Sequence, residues 1–390
     1  MTVWLLAVLL MAALAGLGYR QGGVRVAFSL IGIFAAALLA RPIGKLIRML
    51  MVMLGVKNII LLGVLPPIVG FILVSLCFKA GALPVHHRID VHFKYHAGDL
   101  RLALWERLHH RLGLCLGFFN GFAYFVVISW VIYALSYWTV QMANPSGDPW
   151  TLNLFNRLGK DMSASGFSKV ARAVDPLPES YYDTADVGGL IYNNPLLEAR
   201  VAHYPAFLGL AERPEFQELG NDKAFIDMWQ RGEPILNLMN HPPVKKILEN
   251  ADLVSTIRGL VIPNLKDLEG YLTTGRSEKY DPERILGKWD FDLAYTMVMV
   301  RRAKPNLTAN DMLRQRHERA RTYAQTSFVA TPEHQAILKA APQAGQGEWK
   351  EDGENKYQVT ISGKQLTASI ESERLTLRGE GIELAFLRED

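Results

Sequence analysis

Histidine is the side chain best suited to proton transfer and metal ligation near neutral pH. Six of the ten histidines fall in one short stretch: His86, His87, His92, His96, His109 and His110. His92 and His96 stand four residues apart, which on a helix puts both imidazoles on one face at the spacing of a metal pair. Asp90 and Asp99 are near enough in sequence to complete a ligand set. No HExxH or comparable framework surrounds the pair. His92 and His96 are therefore weak metal candidates beside the plainer reading of an amphipathic juxtamembrane loop, and no metal or other cofactor is expected.

Other reactive side chains are no better arranged. The two cysteines, Cys77 and Cys115, lie in apolar stretches, and residues 144–390 contain none. A disulfide, a cysteine nucleophile or a thiolate metal site is thereby excluded from that region. No phosphate-binding glycine loop, dinucleotide fingerprint or GxSxG elbow occurs. Carboxylate pairs such as Glu351 and Asp352 fall in predicted turns, where solvation is the default. Nothing in the sequence has the form of an active site, so the chain is expected not to be an enzyme.

The elements that carry these residues divide the chain unevenly. Four long apolar stretches fill the first part: Thr2 to Gly18, about Gly22 to Ala40, Ile59 to Phe78, and Leu112 to Trp138. The last two contain no charged residue, and each is long enough to cross ~30 Å of hydrocarbon as a helix. The first lacks the basic n-region of a signal peptide and reads as a retained span. Between spans two and three, RPIGKLIRMLMVMLGVKN mixes basic and apolar residues, which suits a short interfacial helix. Pro66 and Pro67, both without a backbone donor, are expected to kink or break span three. The net charge of +4, with no concentrated run of basic residues, gives no footprint for nucleic acid.

Basic residues assign the sides. The first and third loops carry Arg20, Arg25, Lys79, Arg88, Lys94, Arg101, Arg107 and Arg111; the second carries Arg41, Lys45, Arg48 and Lys57. The larger set belongs in the cytoplasm. The N-terminus and the large C-terminal part are then outside it, which in a bacterium means the periplasm. Span four places Gly113, Gly117 and Gly121 at four-residue spacing, and span two offers Gly32, Ala36 and Ala40. Such stripes let helix backbones approach closely in lipid. They serve packing within one chain or, on the second reading, a homo-oligomer interface. Asn120, inside the stripe, is expected to hydrogen-bond a neighbouring helix.

Two blocks of this part, GLGYRQGGVRVAFSLIGIFAAALLARPI and WERLHHRLGLCLGFFNGFAYFVVISWVIYAL, resemble the first hairpin and the last span of the CvpA, or colicin V production, family. The likeness covers residues 1–141. It implies a four-span bacterial inner-membrane protein linked to toxin production or export and to envelope homeostasis. Some members of that family anchor a periplasmic serine protease; the GDSGG-type signature is missing here, and SASGFS at Ser163 to Ser168 is a polar loop.

Beyond the turn formers NPSGDPW, residues 145–284 read as a helical module. RPEFQELGNDKAFIDM and HPPVKKILENADLVSTI share a proline-initiated pattern similar to the short-helix units of STI1-type co-chaperone modules, over residues 213–257. That likeness implies a hydrophobic groove for apolar peptide segments. Phe216, Leu219, Phe225 and Met228 would supply one side, and Val244, Ile247, Leu248 and Leu253 the other. An ordinary closed bundle is the alternative. From Ile285 the pattern changes to alternation with glycine turns, which predicts a small antiparallel β domain, an open barrel or curled sheet with one helix, over residues 285–390. Its GKW motif, Gly287 to Trp289, is reminiscent of lipocalin-like domains.

The expected fold is thus an α-helical four-span membrane domain with an α+β soluble part. Its partners would be membrane lipid, a periplasmic peptide or protein, and on one reading further copies of itself. A channel or transporter subunit gated by the soluble part is the alternative function.

Overall fold

The computed structural model describes residues 2–56, 59–96, 98–144, 147–340, 343–379 and 382–389. Leucine, alanine and methionine runs without a polar face give four long helices: α1 (Thr2–Gln21), α2 (Gly23–Met53), α3 (Ile59–His96) and α4 (Asp99–Gln141). Each is long and apolar enough to cross a membrane. At 1.5 Å per residue, the 20 residues of α1 match the ~30 Å hydrocarbon layer. The 38 residues of α3 and 43 of α4 exceed it by a wide margin.

Two local expectations change. Residues 41–53 are not a separate interfacial helix but the continuation of α2, straight through Pro42. Likewise α3 is not broken at Pro66 and Pro67, since one helix continues through them and through Pro84. A neighbouring helix makes this tolerable: Gly44 of α2 lies so close that a Cβ there would stand 3.1 Å from Pro67 Cα.

The chain forms two compact units, residues 1–189 with 233–254, and residues 190–232 with 255–390. In the first unit α1 packs on α4, α2 on α3, and α2 on α4. Helices α5 (Trp150–Ser165) and α6 (Phe167–Ala173) pack on α4, and α7 (Glu179–Asn193) follows. Val3, Ala7, Phe125, Ile132, Met162 and Ala171 form their shared core. Gly159 of α5 permits the contact, since a Cβ there would meet Ser136 at 2.4 Å.

Short helices continue the chain: α8 (Leu197–His203), α9 (Leu208–Ala211), α10 (Pro214–Gly220), α11 (Lys223–Gln230), α12 (Ile235–Asn240), α13 (Pro242–Glu249), α14 (Ala251–Val261) and α15 (Leu265–Thr274). Pro214 and Pro242 occupy first turns, where a missing donor costs nothing. Asp222 caps α11 by accepting from the Ala224 and Phe225 amides at 2.8 and 3.1 Å.

The second unit ends in a closed eight-stranded antiparallel barrel. Strand β1 (Gly287–Phe291) is followed by α16 (Leu293–Ala303) and α17 (Ala309–Tyr323). A meander then runs through β2 (Ser327–Ala330), β3 (Gln335–Ala340), β4 (Gln343–Gly353), β5 (Lys356–Ile361), β6 (Lys364–Glu371), β7 (Arg374–Gly379) and β8 (Ile382–Arg388). β8 closes on β1 with Trp289 opposite Arg388. The sheet is therefore closed rather than open, and it carries two helices rather than one. Alternation places Tyr357, Val359 and Ile361 inward, with Trp289, Phe328, Trp349 and Phe386 filling the centre. Eight strands enclose just enough room for such side chains.

Trp289 also anchors the closure. Its Nε1 donates to the Ile285 carbonyl at 2.9 Å. The Arg388 guanidinium lies 4.9 Å above its ring and donates to the Arg284 and Leu286 carbonyls at 2.8 and 2.9 Å.

Candidate functional site

The small-residue stripes lie on helix contacts within the chain. A Cβ added at Gly113 would meet the Gly18 carbonyl at 2.2 Å, at Gly117 the Leu14 carbonyl at 2.4 Å, and at Gly121 Met11 Cα at 2.7 Å. This whole stripe faces α1. On α2, Gly32 faces Phe78 of α3, Ala36 is fully buried, and the Ala40 carbonyl lies beside Gly70. Asn120 donates to Ser29 Oγ at 3.1 Å, bridging α4 and α2 in a buried position.

The histidines sit on a helical hairpin made by the C-terminal turns of α3 and the N-terminal turns of α4. Its rings form a ladder. Phe93 stacks on Trp105 with centroids 4.4 Å apart, Trp105 on His109 at 4.8 Å, and His109 on His86 at 5.1 Å. His110 donates through Nδ1–H to the Tyr19 carbonyl at 2.7 Å. The His92 and His96 rings stack 5.6 Å apart on one face of α3. Among the described residues no group of three His, Cys, Asp or Glu side chains could hold a metal ion.

At the other end of α4 lies a feature the sequence reading missed. Asp175 accepts from Trp130 Nε1 at 2.8 Å, from the Leu177 amide at 2.9 Å and from the Tyr182 hydroxyl. Asp186 accepts from Tyr137 at 3.0 Å and from Gln141. Tyr181 donates to the Ala134 carbonyl at 2.9 Å. Burial pushes the Tyr181 phenol up to about 12. Burial and the bond to Asp175 push Tyr182 higher still. Together these bonds clasp α7 and the segment before it to α4. The density of Trp130, Tyr133, Tyr137 and Trp138 near the end of span four was its legible signal.

The proposed groove residues divide between the units. Phe216, Leu219, Phe225 and Met228 lie on α10 and α11 in the second unit, and all are half-buried. Neither helix contains one fully buried residue. Trp229 stands beside them with its indole Nε1 buried and without a partner. Val244, Ile247, Leu248 and Leu253 belong to the first unit; Ile247 and Leu253 are buried there, while Val244 and Leu248 are half-buried.

Charged groups of the second unit gather at a cleft of about 300 Å³ lined by Glu212, Gln217, Lys288, Asp290, Thr326 and Lys339. Lys288 pairs with Glu389 at 2.5 Å, and Lys339 pairs with Glu212. Burial, then the Glu389 charge, raises the Asp290 carboxyl above its ordinary range. Both lysines of the lining are thus already paired with carboxylates. No family model, no curated protein and no solved structure matches the chain. Fold and geometry define a four-span membrane protein carrying a helical region and a closed β-barrel.

Proposed function

We propose that this is a non-enzymatic membrane protein that presents an apolar face, on α10 and α11, to a peptide or protein segment. The carrying observation is that these two helices place Phe216, Leu219, Phe225 and Met228 on them without fully burying any residue. A helix serving only as core would bury its apolar stripe. Methionine and phenylalanine suit a face that accepts varied shapes. In its finer form the proposal takes up the likeness to the colicin V production family. The protein would then act in toxin production or export, or in envelope homeostasis, at a bacterial inner membrane with its C-terminal part in the periplasm.

The test uses the full chain in detergent and a fluorescent amphipathic leucine–alanine peptide, followed by anisotropy. Saturable binding is expected, weakened roughly tenfold (~1.4 kcal/mol) by Met228→Lys with little change in melting temperature. If the wild-type protein binds no peptide, or if Met228→Lys melts early because a charge has entered a closed core, the binding reading fails.

A further inference from the structure

Two stacked imidazoles with unpaired nitrogens lie where α3 meets α4 beside the α1–α2 turn, within electrostatic reach of Arg25 on α2. His109 is only 8% exposed, and its Nδ1 has no hydrogen-bond partner. His86 Nδ1 and Arg25 Nε are likewise buried and unpaired. The two imidazoles stack 5.1 Å apart, and Arg25 is near enough to act electrostatically on both. Among the described residues Arg25 has no ion-pair partner. The carboxylate that also acts on the rings, Asp90, is exposed one turn beyond His86.

An arginine cannot shed its proton, and a buried donor left unmet is costly. An oxyanion removes both penalties. The backbone leaves room for this arrangement only because residue 22 is glycine: its φ is 80°, and a Cβ there would fall 1.6 Å from His109 Nε2. The level is informative too. Since the 20 residues of α1 span about the hydrocarbon thickness, Arg25, just past the turn, stands where hydrocarbon meets headgroups.

We propose that Arg25, His86 and His109 bind a phosphate group, carried by an anionic phospholipid headgroup or present as free phosphate. Arginine supplies the fixed charge and directional donors, and each imidazole supplies one N–H. Placement at headgroup level fits the lipid source.

The experiment uses the full chain in mild detergent, with native mass spectrometry and thermal melting. The probes are phosphatidylglycerol, phosphatidylcholine and inorganic phosphate. Phosphatidylglycerol is expected to be retained and to raise the melting temperature, whereas phosphatidylcholine does neither. Arg25→Gln and His86→Gln should each weaken retention, the arginine change roughly tenfold or more. Arg88→Gln, which alters an exposed arginine of α3, should leave it unchanged. Stabilisation by inorganic phosphate that competes with the lipid would identify free phosphate as the source; its absence identifies the headgroup. His86→Gln, at a half-buried position, keeps the test open should Arg25→Gln fail to fold. The proposal is overturned if neither phosphatidylglycerol nor inorganic phosphate binds, if both variants bind as wild type, or if Arg88→Gln weakens binding equally.

Discussion

Replacing Gly117 by alanine tests whether the α1–α4 seam holds the bundle together. The new Cβ would stand 2.4 Å from the Leu14 carbonyl oxygen and 3.0 Å from Ala15 Cα. Both neighbours are backbone, so neither can rotate away. Restoring ordinary contact near 3.4 Å requires the helices to part by about 1 Å at this point. A gap of that size forfeits roughly a quarter to a half of the dispersion energy of each contact along the seam. Gly113 against Gly18 and Gly121 against Met11 are equally tight, so they loosen together. Alanine gains up to ~1 kcal/mol over glycine in intrinsic helix preference. Overpacking costs ~1–3 kcal/mol, and loss along three contacts places this case at the upper end, so a net loss of about 2 kcal/mol is expected. Leu114→Ala is the control, because Leu114 is 45% exposed. Thermal melting of the full chain in detergent, read by size-exclusion fluorescence, compares the two. Equal melting temperatures for Gly117→Ala and Leu114→Ala would refute the seam's importance.

Two further outcomes are expected. Arg388→Ala removes two charge-assisted hydrogen bonds and a stacked cation from the barrel closure, so it should destabilise the barrel by about 2–3 kcal/mol, read as an earlier change in tryptophan fluorescence on denaturant titration; an unchanged midpoint would mean that β8 is held without it. Ser362→Cys, placed in the exposed β5–β6 turn, should react with an impermeant maleimide in intact spheroplasts, while Cys77 and Cys115, inside spans, stay silent; labelling only after lysis would reverse the sidedness inferred from the basic loops.

The spans were legible because an uncharged run of apolar residues needs no partner to declare itself. Their ends were not. Residues 41–53 interleave Arg41, Lys45 and Arg48 with methionine and leucine, a pattern shared by an interfacial helix and by a span's emergent turns. Alternation in Tyr357, Val359 and Ile361 revealed the sheet, and positive φ at Asn355, Ser362 and Ser372 occurs at the tight turns between its strands. Closure was hidden, because β1 is separated from β2 by two helices and pairs with the far end of the chain. The clasp at Asp175 and Asp186 was hidden for a different reason. A carboxylate in a polar stretch reads as solvated until the fold brings Trp130, Tyr137 and Tyr182 to it.

That clasp changes what the membrane part can transmit. A chain leaving a span through NPSGDPW would ordinarily behave as a tether, since proline, glycine and asparagine favour turns over rigid contact. Here α5 and α6 return to pack on α4, Asp161 accepts from the Val3 amide of α1 at 3.0 Å, and Asp175 and Asp186 hold side chains of α4 itself. The same α4 carries His109 near its other end, and it runs between them as one uninterrupted helix. From His109 to Tyr137 is about 42 Å at 1.5 Å per residue. A displacement of α4 against α1 along the glycine seam would therefore reach His109 and the aromatic clasp together. The seam's tightness at Gly113, Gly117 and Gly121 opposes a slide of α4 past α1, because at each glycine the nearest atoms are backbone. Backbone contacts at three successive turns thus hold α4 and α1 in one register along the stretch between His109 and the clasp.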